Sequence, residues 1–330
     1  MIKVNFLSEF LMLRKIIGAN GALTATLTQA DELKKFVKVL FNYYGKDYDL
    51  IHSHGCFPLT YHMMKKARKL KKPIILSAHQ THYDTDNAFI MSKQISQLFK
   101  IYLRSYIKFA DIVICPTEYS KKIVKTELRF DKPIKLVSNG VNTQIFKHSS
   151  KKRTDFRNHY RLDNITVLCV GMPIERKGFY DFIKISREMK EFPFLWVGRR
   201  AFPLIQQDLN YNTNNLIMPG YIEDITAAYS GGDIFCFPSY YEGEGIAILE
   251  AMSCGLPVIL RELPTYNGRF VDGENCLKAK NNKEFIEKIS YLINHPEERK
   301  IIARNGFNTA KKLDIEETAK SIYEIYKELI

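Results

Sequence analysis

Two glutamates eight residues apart, Glu242 and Glu250, show the clearest chemical pattern in the sequence. Glu242 lies in a predicted loop with Gly243 and Gly245, and two glycines allow the backbone to approach a ligand closely. Glu250 falls one to two turns into the helix that follows. Its carboxylate offers a pair of acceptor oxygens that suits a vicinal diol, as on a ribose. The pattern therefore predicts a site for a ligand that carries such a diol.

The elements around these glutamates are predicted to run as strand, loop, helix and strand. The apolar run 234–237 ends at Pro238 and is typical of a buried strand. A helix is predicted from about Gly245 to Cys254, because Gly255 and then a proline stop it. The free amides and the positive dipole end of this helix point at the loop, so an anion is the ligand expected there.

This stretch resembles the Glu-x7-Glu signature of glycosyltransferase family 4, a family of retaining enzymes with the GT-B fold. The two glutamates are followed by Ala251-Met252, Gly255 and Pro257-Val258-Ile259, the tail that is usual in the family. A βαβ turn with two solvated glutamates is the alternative interpretation. The resemblance implies an α/β protein in which two Rossmann-like, doubly wound domains face each other across a cleft and a C-terminal helix crosses back.

Length and composition agree with two globular domains. The chain has 330 residues, of which 45% are hydrophobic, and this length accommodates two cores. Residues 1–7 are predicted to form a first strand rather than a signal peptide, and no apolar run has the length of a membrane span. The six cysteines occur singly, without metal-like spacing, and are expected to be buried thiols in a reducing cytoplasm.

Predicted strands and helices alternate in both halves, which indicates parallel, doubly wound sheets with ligand crevices at the carboxyl ends of their strands. The boundary is placed in the Lys- and Ser-rich stretch 147–153. Residues 1–150 with the helix 315–330 are interpreted as the acceptor- and membrane-facing domain, and 151–314 as the nucleotide-sugar-binding domain. The predicted strands are 2–7, 50–53, 74–78, 112–115, 134–137, 166–170, 194–198, 216–222, 234–237 and 258–260. The predicted helices are 23–40, 61–70, 92–109, 120–128, 178–190, 245–254, 283–294, 297–312 and 315–329.

Two cations, Arg176 and Lys177, precede the predicted helix 178–190. A helix N-terminus supplemented by Arg and Lys is suited to bind a pyrophosphate. The alternative interpretation is two basic residues that are merely solvated. That alternative is disfavoured because cations at a helix start oppose the helix dipole. The family usually has an arginine where this sequence has Met172, and we infer that Arg176 substitutes for it.

The resemblance implies roles for further donor-binding groups. The base is expected to lie against the turn at Ile222, and Glu250 is expected to hold the ribose. Glu242 is expected to orient the hexose together with the backbone amides of its loop. A glycine loop at 18–21 is expected to let amides face a phosphate or a sugar. The remaining residues implied for donor binding are Gly21, Gly243, Glu244, Gly245 and Ile246.

His79 ends the strand predicted at 74–78, where functional residues of such folds gather. The resemblance places a histidine here beside the transferred sugar and the acceptor, so His79 and Glu242 are the residues expected at the reaction centre. A histidine that only caps a loop is the alternative, and His52 and His54 are weaker candidates. No spacing indicates a metal site, so no metal is expected to be built in, and assistance by Mg²⁺ stays open.

The excess positive charge lies entirely in the first half. Residues 1–150 contain 24 Lys and Arg against 11 Asp and Glu, an excess of 13 that equals the net charge of the whole chain. This asymmetry indicates a polyanionic partner, either an anionic membrane surface or nucleic acid. A charge that serves only solubility is the alternative.

Two predicted helices, 61–72 and 93–108, combine basic residues with large apolar and aromatic ones, which is typical of helices at a membrane interface. A core-facing apolar side with a solvated basic side is the alternative for each helix. With the charge asymmetry, membrane association is the favoured interpretation, and no nucleic-acid partner is expected. The basic side chains expected at the membrane surface are Lys65, Lys66, Arg68, Lys69, Lys100 and Arg104.

Within family 4, residues 176–182 and 258–263 look most like bacterial glucosyl-diacylglycerol glucosyltransferases. The resemblance implies retaining transfer of a hexose, glucose from UDP-glucose, to a membrane glycolipid such as glucosyl-diacylglycerol at the cytoplasmic face of the membrane. Three alternatives stay open: a family 4 enzyme with a polysaccharide or other soluble acceptor, a sugar-nucleotide epimerase of GT-B fold, and a nucleic-acid-binding protein. The last ranks lowest because it leaves Glu242 and Glu250 without a role.

Overall fold

The computed structural model describes residues 1–12, 21–79, 81–85, 92–199 and 213–330. The chain divides into two compact units. The first unit comprises the described part of residues 1–140 together with Ile315–Ile330, and the second comprises the described part of Val141–Asp314. Along the chain, the division therefore falls between Gly140 and Val141.

The first unit is built on a six-stranded parallel sheet with the order β2-β1-β3-β4-β5-β6. Strands β3, β4 and β5 are buried along their whole length, as expected for a parallel sheet that is covered on both faces. The strands are β1 Lys3–Leu7, β2 Lys38–Phe41, β3 Leu50–Ser53, β4 Ile74–Ser77, β5 Ile112–Cys115 and β6 Ile134–Leu136. The helices are α1 Glu9–Met12, α2 Gly21–Leu33, α3 Pro58–Lys69, α4 Ser92–Ile107 and α5 Glu118–Thr126.

The helix predicted at 23–40 is wrong at its C-terminal end. Helix α2 ends at Leu33, and strand β2 follows it. This strand pairs in parallel with β1, from Lys38 opposite Lys3 onwards. Its valine and phenylalanine suit a strand, but the strand forms because β1 offers it an edge, and that edge comes from a distant part of the chain.

The second unit is built on another six-stranded parallel sheet, with the order β12-β11-β10-β7-β8-β9. Its core is apolar and contains the only tryptophan of the chain, Trp196. The strands are β7 Val167–Val170, β8 Phe194–Val197, β9 Leu216–Gly220, β10 Ile234–Phe237, β11 Val258–Arg261 and β12 Leu277–Ala279. The helices are α6 Ser150–Tyr160, α7 Phe179–Glu188, α8 Ile225–Gly231, α9 Ile246–Ser253, α10 Asn282–Asn294 and α11 Pro296–Lys312.

Helix α6 begins inside the stretch 147–153, where the domain boundary was predicted. The side chain of Ser149 accepts a hydrogen bond from a backbone amide in the first turn and so caps the helix. Phe156 is buried, and Arg157 forms an ion pair with Asp233 at 2.9 Å. The second part of this Lys- and Ser-rich stretch, from Ser150, is therefore the first turn of a packed helix.

The last helix, α12 Ile315–Lys327, packs in the first unit although it follows the second in sequence. Tyr323 stacks on Phe36 of the first unit, and the hydroxyl of Tyr326 lies 2.6 Å from Nδ1 of His52. The prediction of two doubly wound parallel sheets with a C-terminal helix that crosses back is thus confirmed. All six cysteines are buried and unpaired, as predicted. No helix among the described residues is both long and apolar enough to cross a membrane.

Candidate active site

An ion pair between Lys177 and Glu242 lies at the centre of the candidate site in the second unit. Lys177 Nζ is 2.5 Å from Glu242 Oε1, and the two side chains are only 18% and 8% exposed. Ser239 Oγ donates a hydrogen bond to the same carboxylate oxygen at 2.7 Å. Burial opposes ionisation of Glu242, but the cations Lys177 and Arg176 outweigh it, and the pKa of Glu242 lies below its ordinary value. Glu242 is therefore an anion at neutral pH.

The sheet order explains why these two residues meet. Strand β10 pairs with β7, so the segments that follow the two strands leave the same edge of the sheet side by side. After β7 the chain forms a 3₁₀ turn at Glu175–Lys177 and then Gly178, which has a φ of +75°. A Cβ atom at this glycine would lie 2.2 Å from the carbonyl oxygen of Pro238. Only glycine therefore permits this contact between the two segments.

Arg176 supports the loop that carries Glu242. Its Nη1 donates to the carbonyl oxygen of Tyr241 at 2.9 Å, and its own carbonyl oxygen accepts from the amide of Tyr240 at 2.8 Å. Arg176 thus links the turn after β7 to the loop after β10. Its predicted role in place of Met172 stays a prediction.

The same loop is fastened on its other side. Thr265 Oγ1 donates to the carbonyl oxygen of Gly243 at 3.0 Å, and the carboxylate of Glu244 forms an ion pair with Arg269. The side chain of Glu244 is buried, so its carboxylate holds the loop in place. The donor-binding role predicted for Glu244 therefore concerns its backbone.

Helix α9 starts directly after this loop. Gly245 precedes it with a φ of +86°, and no side chain among the described residues caps the helix. The first amides of the helix, beginning at Ile246, therefore point beyond its end. Such amides and the positive end of the helix dipole favour an anionic ligand.

Glu250 lies on α9 and is buried. The hydroxyl of Tyr229 donates to Glu250 Oε2 at 2.6 Å. Burial raises the pKa of Glu250 to about 7, against the opposing effect of this hydrogen bond. The two glutamates of the motif thus differ, because Glu242 is paired with a cation and Glu250 with a neutral donor.

A buried ionic cluster that the sequence analysis did not identify contacts the loop after β10 and stabilises it. Arg261, the last residue of β11, forms an ion pair with Asp181 at 2.6 Å and donates from Nε to the carbonyl oxygen of Pro238 at 3.0 Å. Tyr240 donates to Asp181 at 2.5 Å, and its ring lies 4.0 Å from the guanidinium. The available signal was an arginine directly after the apolar run 258–260, because a charge at the end of a buried strand requires partners.

Two predicted donor residues take part in none of the contacts described above. Ile222 follows β9 and packs, half-buried, against the core of the second unit. Gly21 is the exposed first residue of α2 in the first unit. Residues 18–20 of the predicted glycine loop lie outside the described residues.

His79 belongs to a histidine cluster in the first unit. His79 Nε2 lies 2.8 Å from His54 Nδ1, and His54 in turn packs against His52 with ring centroids 4.1 Å apart. Burial lowers the pKa of His79 to about 4, although a hydrogen bond with Asn139 opposes the shift. His79 is therefore a neutral imidazole at neutral pH. A pocket beside it is lined by His54, His79 and residues of α4 such as Tyr106.

The basic side chains predicted at a membrane surface are not all free. Lys100 Nζ lies 2.6 Å from a carboxylate oxygen of Glu127, and Arg104 Nε donates to the carbonyl oxygen of Glu127 at 2.8 Å. Arg68 forms an ion pair with Asp111 at 2.6 Å. Of the α3 lysines, Lys66 donates to the carbonyl oxygen of Tyr44, whereas Lys65 and Lys69 are exposed.

Helix α4 has an apolar stripe on its outer side. Ile95, Leu98 and Ile101 are 41%, 68% and 62% exposed. Their spacing of three residues places them on one side of the helix. Adjacent exposed apolar side chains of this kind are a candidate interaction site.

Two units with parallel, doubly wound sheets, one glutamate in the loop before a helix and a second glutamate within that helix are the arrangement of a glycosyltransferase of GT-B fold. The sequence matches the description "Glycosyltransferase Family 4" over residues 21–145 and "Glycosyl transferases group 1" over 150–309. A processive diacylglycerol alpha-glucosyltransferase from Acholeplasma laidlawii is 32% identical over 291 residues, which are 86% of each chain. The chain therefore belongs to glycosyltransferase family 4.

Two further proteins are similar at lower identity. An alpha-monoglucosyldiacylglycerol synthase from Acholeplasma laidlawii is 23% identical over 86% of this chain and 76% of that protein. The crystal structure of HepE from Anabaena in complex with UDP-glucose has a TM-score of 0.81 at 17% identity and covers 100% of both chains. The similarity to HepE supports the fold alone.

Proposed function

We propose that this glycosyltransferase moves glucose from UDP-glucose to a membrane glycolipid such as glucosyl-diacylglycerol, with retention of anomeric configuration. The observation that carries the donor part is the buried Lys177–Glu242 pair next to the uncapped start of α9. The acceptor part is supported by the 32% identical relative, which is named for diacylglycerol glucosylation.

Each charged group has a role in this proposal. Lys177 uses one N–H on Glu242, and an ammonium carries three. Its other donors and the first amides of α9 would bind the diphosphate, whose charge grows as the bond to the anomeric carbon breaks. Glu242 would accept hydrogen bonds from hexose hydroxyls, and Glu250 from the ribose diol. His79 would donate to or accept from a sugar hydroxyl as a neutral imidazole.

The proposed chemistry needs no side-chain nucleophile. The acceptor hydroxyl attacks the anomeric carbon from the face that the diphosphate leaves, and its proton passes to a diphosphate oxygen. The proposal also needs no resident metal, and assays in EDTA with and without added Mg²⁺ test that part.

We also propose that the first unit binds peripherally to an anionic membrane at its cytoplasmic face. The charge excess of residues 1–150, the exposed Lys65 and Lys69, and the apolar stripe of α4 support this proposal. Lysines near an anionic surface contribute about 1 kcal/mol each. The ion pairs of Lys100 and Arg68, and the hydrogen bond of Arg104 to a backbone carbonyl oxygen, reduce the share of these side chains, so we expect the apolar stripe to contribute more.

The test is transfer of label from UDP-glucose into vesicles that contain glucosyl-diacylglycerol in either phosphatidylglycerol or phosphatidylcholine. A labelled diglucosyl lipid, formed faster on the anionic vesicles and absent with Glu250→Gln, is the expected result. Glu287→Gln, an exposed glutamate of α10, is the matched control and should retain activity. Hydrolysis of UDP-glucose without any lipid product would reject the glycolipid acceptor and favour a polysaccharide or soluble one. UDP-glucose epimerisation would instead indicate the epimerase.

A further inference from the structure

Tyr229 contacts the carboxylate that is assigned to the donor ribose, and no sequence motif singles it out. It lies on α8 and is completely buried. Its hydroxyl donates to Glu250 Oε2 at 2.6 Å. Its ring packs against Phe146 and Phe235, with centroids 6.0 Å and 5.9 Å away. A rigid side chain from a different helix therefore holds one oxygen of Glu250.

This contact divides the two oxygens of Glu250 between protein and ligand. The phenol has one proton, and it is directed to Oε2. Within the described part of the chain, Oε1 has no hydrogen-bond partner. This oxygen is also not fully enclosed by protein atoms. Oε1 is therefore the oxygen left for a ligand hydroxyl.

We propose that Tyr229 is a positioning residue for donor binding, because it fixes the orientation of Glu250 and directs Oε1 towards the ribose diol. The inference rests on the proposed function, since it assumes that Glu250 binds the ribose. The hydroxyl acts through Glu250 and not on the substrate.

The hydroxyl of Tyr229 also affects the pH range in which Glu250 is charged. Burial raises the pKa of Glu250 to about 7. The hydrogen bond from Tyr229 opposes this shift, so the pKa would be higher without it. The other titratable groups next to this pair are the thiols of Cys254 and Cys169. Burial raises the pKa of Cys254 to about 12 and that of Cys169 well above its ordinary value. Both thiols are neutral near pH 7, so the Glu250 carboxyl is the group that titrates there.

The experiment measures UDP binding by calorimetry between pH 6 and pH 9. Tyr229→Phe retains the packed ring and removes only the hydroxyl. Without it, Glu250 loses a fixed orientation and its pKa rises, so UDP affinity should fall roughly 10- to 150-fold at pH 7, as expected for a hydrogen bond to a charged group. The loss should shrink towards pH 9, where the carboxyl is ionised in both proteins. Tyr160→Phe, a tyrosine on the surface of the same core, should bind UDP as the wild type does.

A double variant separates positioning from packing. If Tyr229 acts through Glu250, Tyr229→Phe combined with Glu250→Gln should bind UDP no more weakly than Glu250→Gln alone. This pair also leaves no unpaired buried charge, so it keeps the test valid if the single variant is unstable. Additive losses would overturn the inference and leave the proposed function standing. Unchanged UDP binding in Glu250→Gln would instead overturn the proposed donor site.

Discussion

Replacement of Lys177 by methionine tests the ion pair at the centre of the site. Methionine retains most of the apolar stem and removes the ammonium that lies 2.5 Å from Glu242. The carboxylate would remain buried, with Ser239 as hydrogen-bond donor and Arg176 as the nearest cation. A buried charge that loses its partner destabilises a protein by about 3–5 kcal/mol. The remaining contacts of Glu242 place the expected loss near the lower end of that range, about 3 kcal/mol.

The pH dependence of this loss follows from the pKa of Glu242. In the native protein that pKa lies below its ordinary value, so the pair stabilises the fold above the unfolded-state pKa and is lost as the pH falls through the native one. In Lys177→Met the dominant effect is burial, which raises the pKa and allows the carboxyl to become protonated. The stability deficit of the variant should therefore be largest near pH 8 and shrink below about pH 5.

Fluorescence of Trp196 reports the unfolding of the second unit, because this single tryptophan is buried in its core. A loss of about 3 kcal/mol corresponds to a fall in melting temperature of roughly 6–12 °C for a unit of this size. Lys184→Met, an exposed lysine on α7, should melt as the wild type does. Lys177→Met combined with Glu242→Gln should recover most of the loss at pH 8. An equal deficit at about pH 4 and at pH 8, or no recovery in the double variant, would refute the reasoning.

Two further variants test the loop support and the membrane surface. Gly178→Ala should destabilise the second unit by more than the roughly 1–3 kcal/mol of a strained φ, because its Cβ would also strike the carbonyl oxygen of Pro238. Gly255→Ala has a similar φ of +78° and open space around it, so it should show the strain alone; equal tryptophan melting curves for the two variants would contradict this. Replacing Leu98 and Ile101 together by glutamine should reduce sedimentation with anionic vesicles at high salt, where charge attraction is screened. Unchanged sedimentation would show that the stripe does not contact lipid.

Much of the fold was predictable because its signals are local. Apolar runs such as 112–115 and 234–237 coincide with strands β5 and β10 of the same bounds. The helix after Gly245 was also predicted to within a residue at each end. The errors occurred where a distant segment decides the outcome, as at strand β2, which forms because the edge of β1 accepts it. Helix α6, which the sequence did not predict, is likewise held by ion pairs with Asp233, a residue distant in sequence.

The candidate site divides in the same way. The sequence by itself determined the loop with Glu242, the helix with Glu250 and the cations at 176–177, because each is a short pattern of neighbours. Only the tertiary structure decided the partners of the carboxylates. Lys177 lies 65 residues before Glu242 and meets it because β7 and β10 are adjacent in the sheet. Sheet order results from the packing of the whole unit, and no short stretch of sequence contains it. Burial and charge pairing likewise depend on the whole unit. Burial raises the pKa of Glu250, whereas the cations Lys177 and Arg176 outweigh burial at Glu242 and lower its pKa.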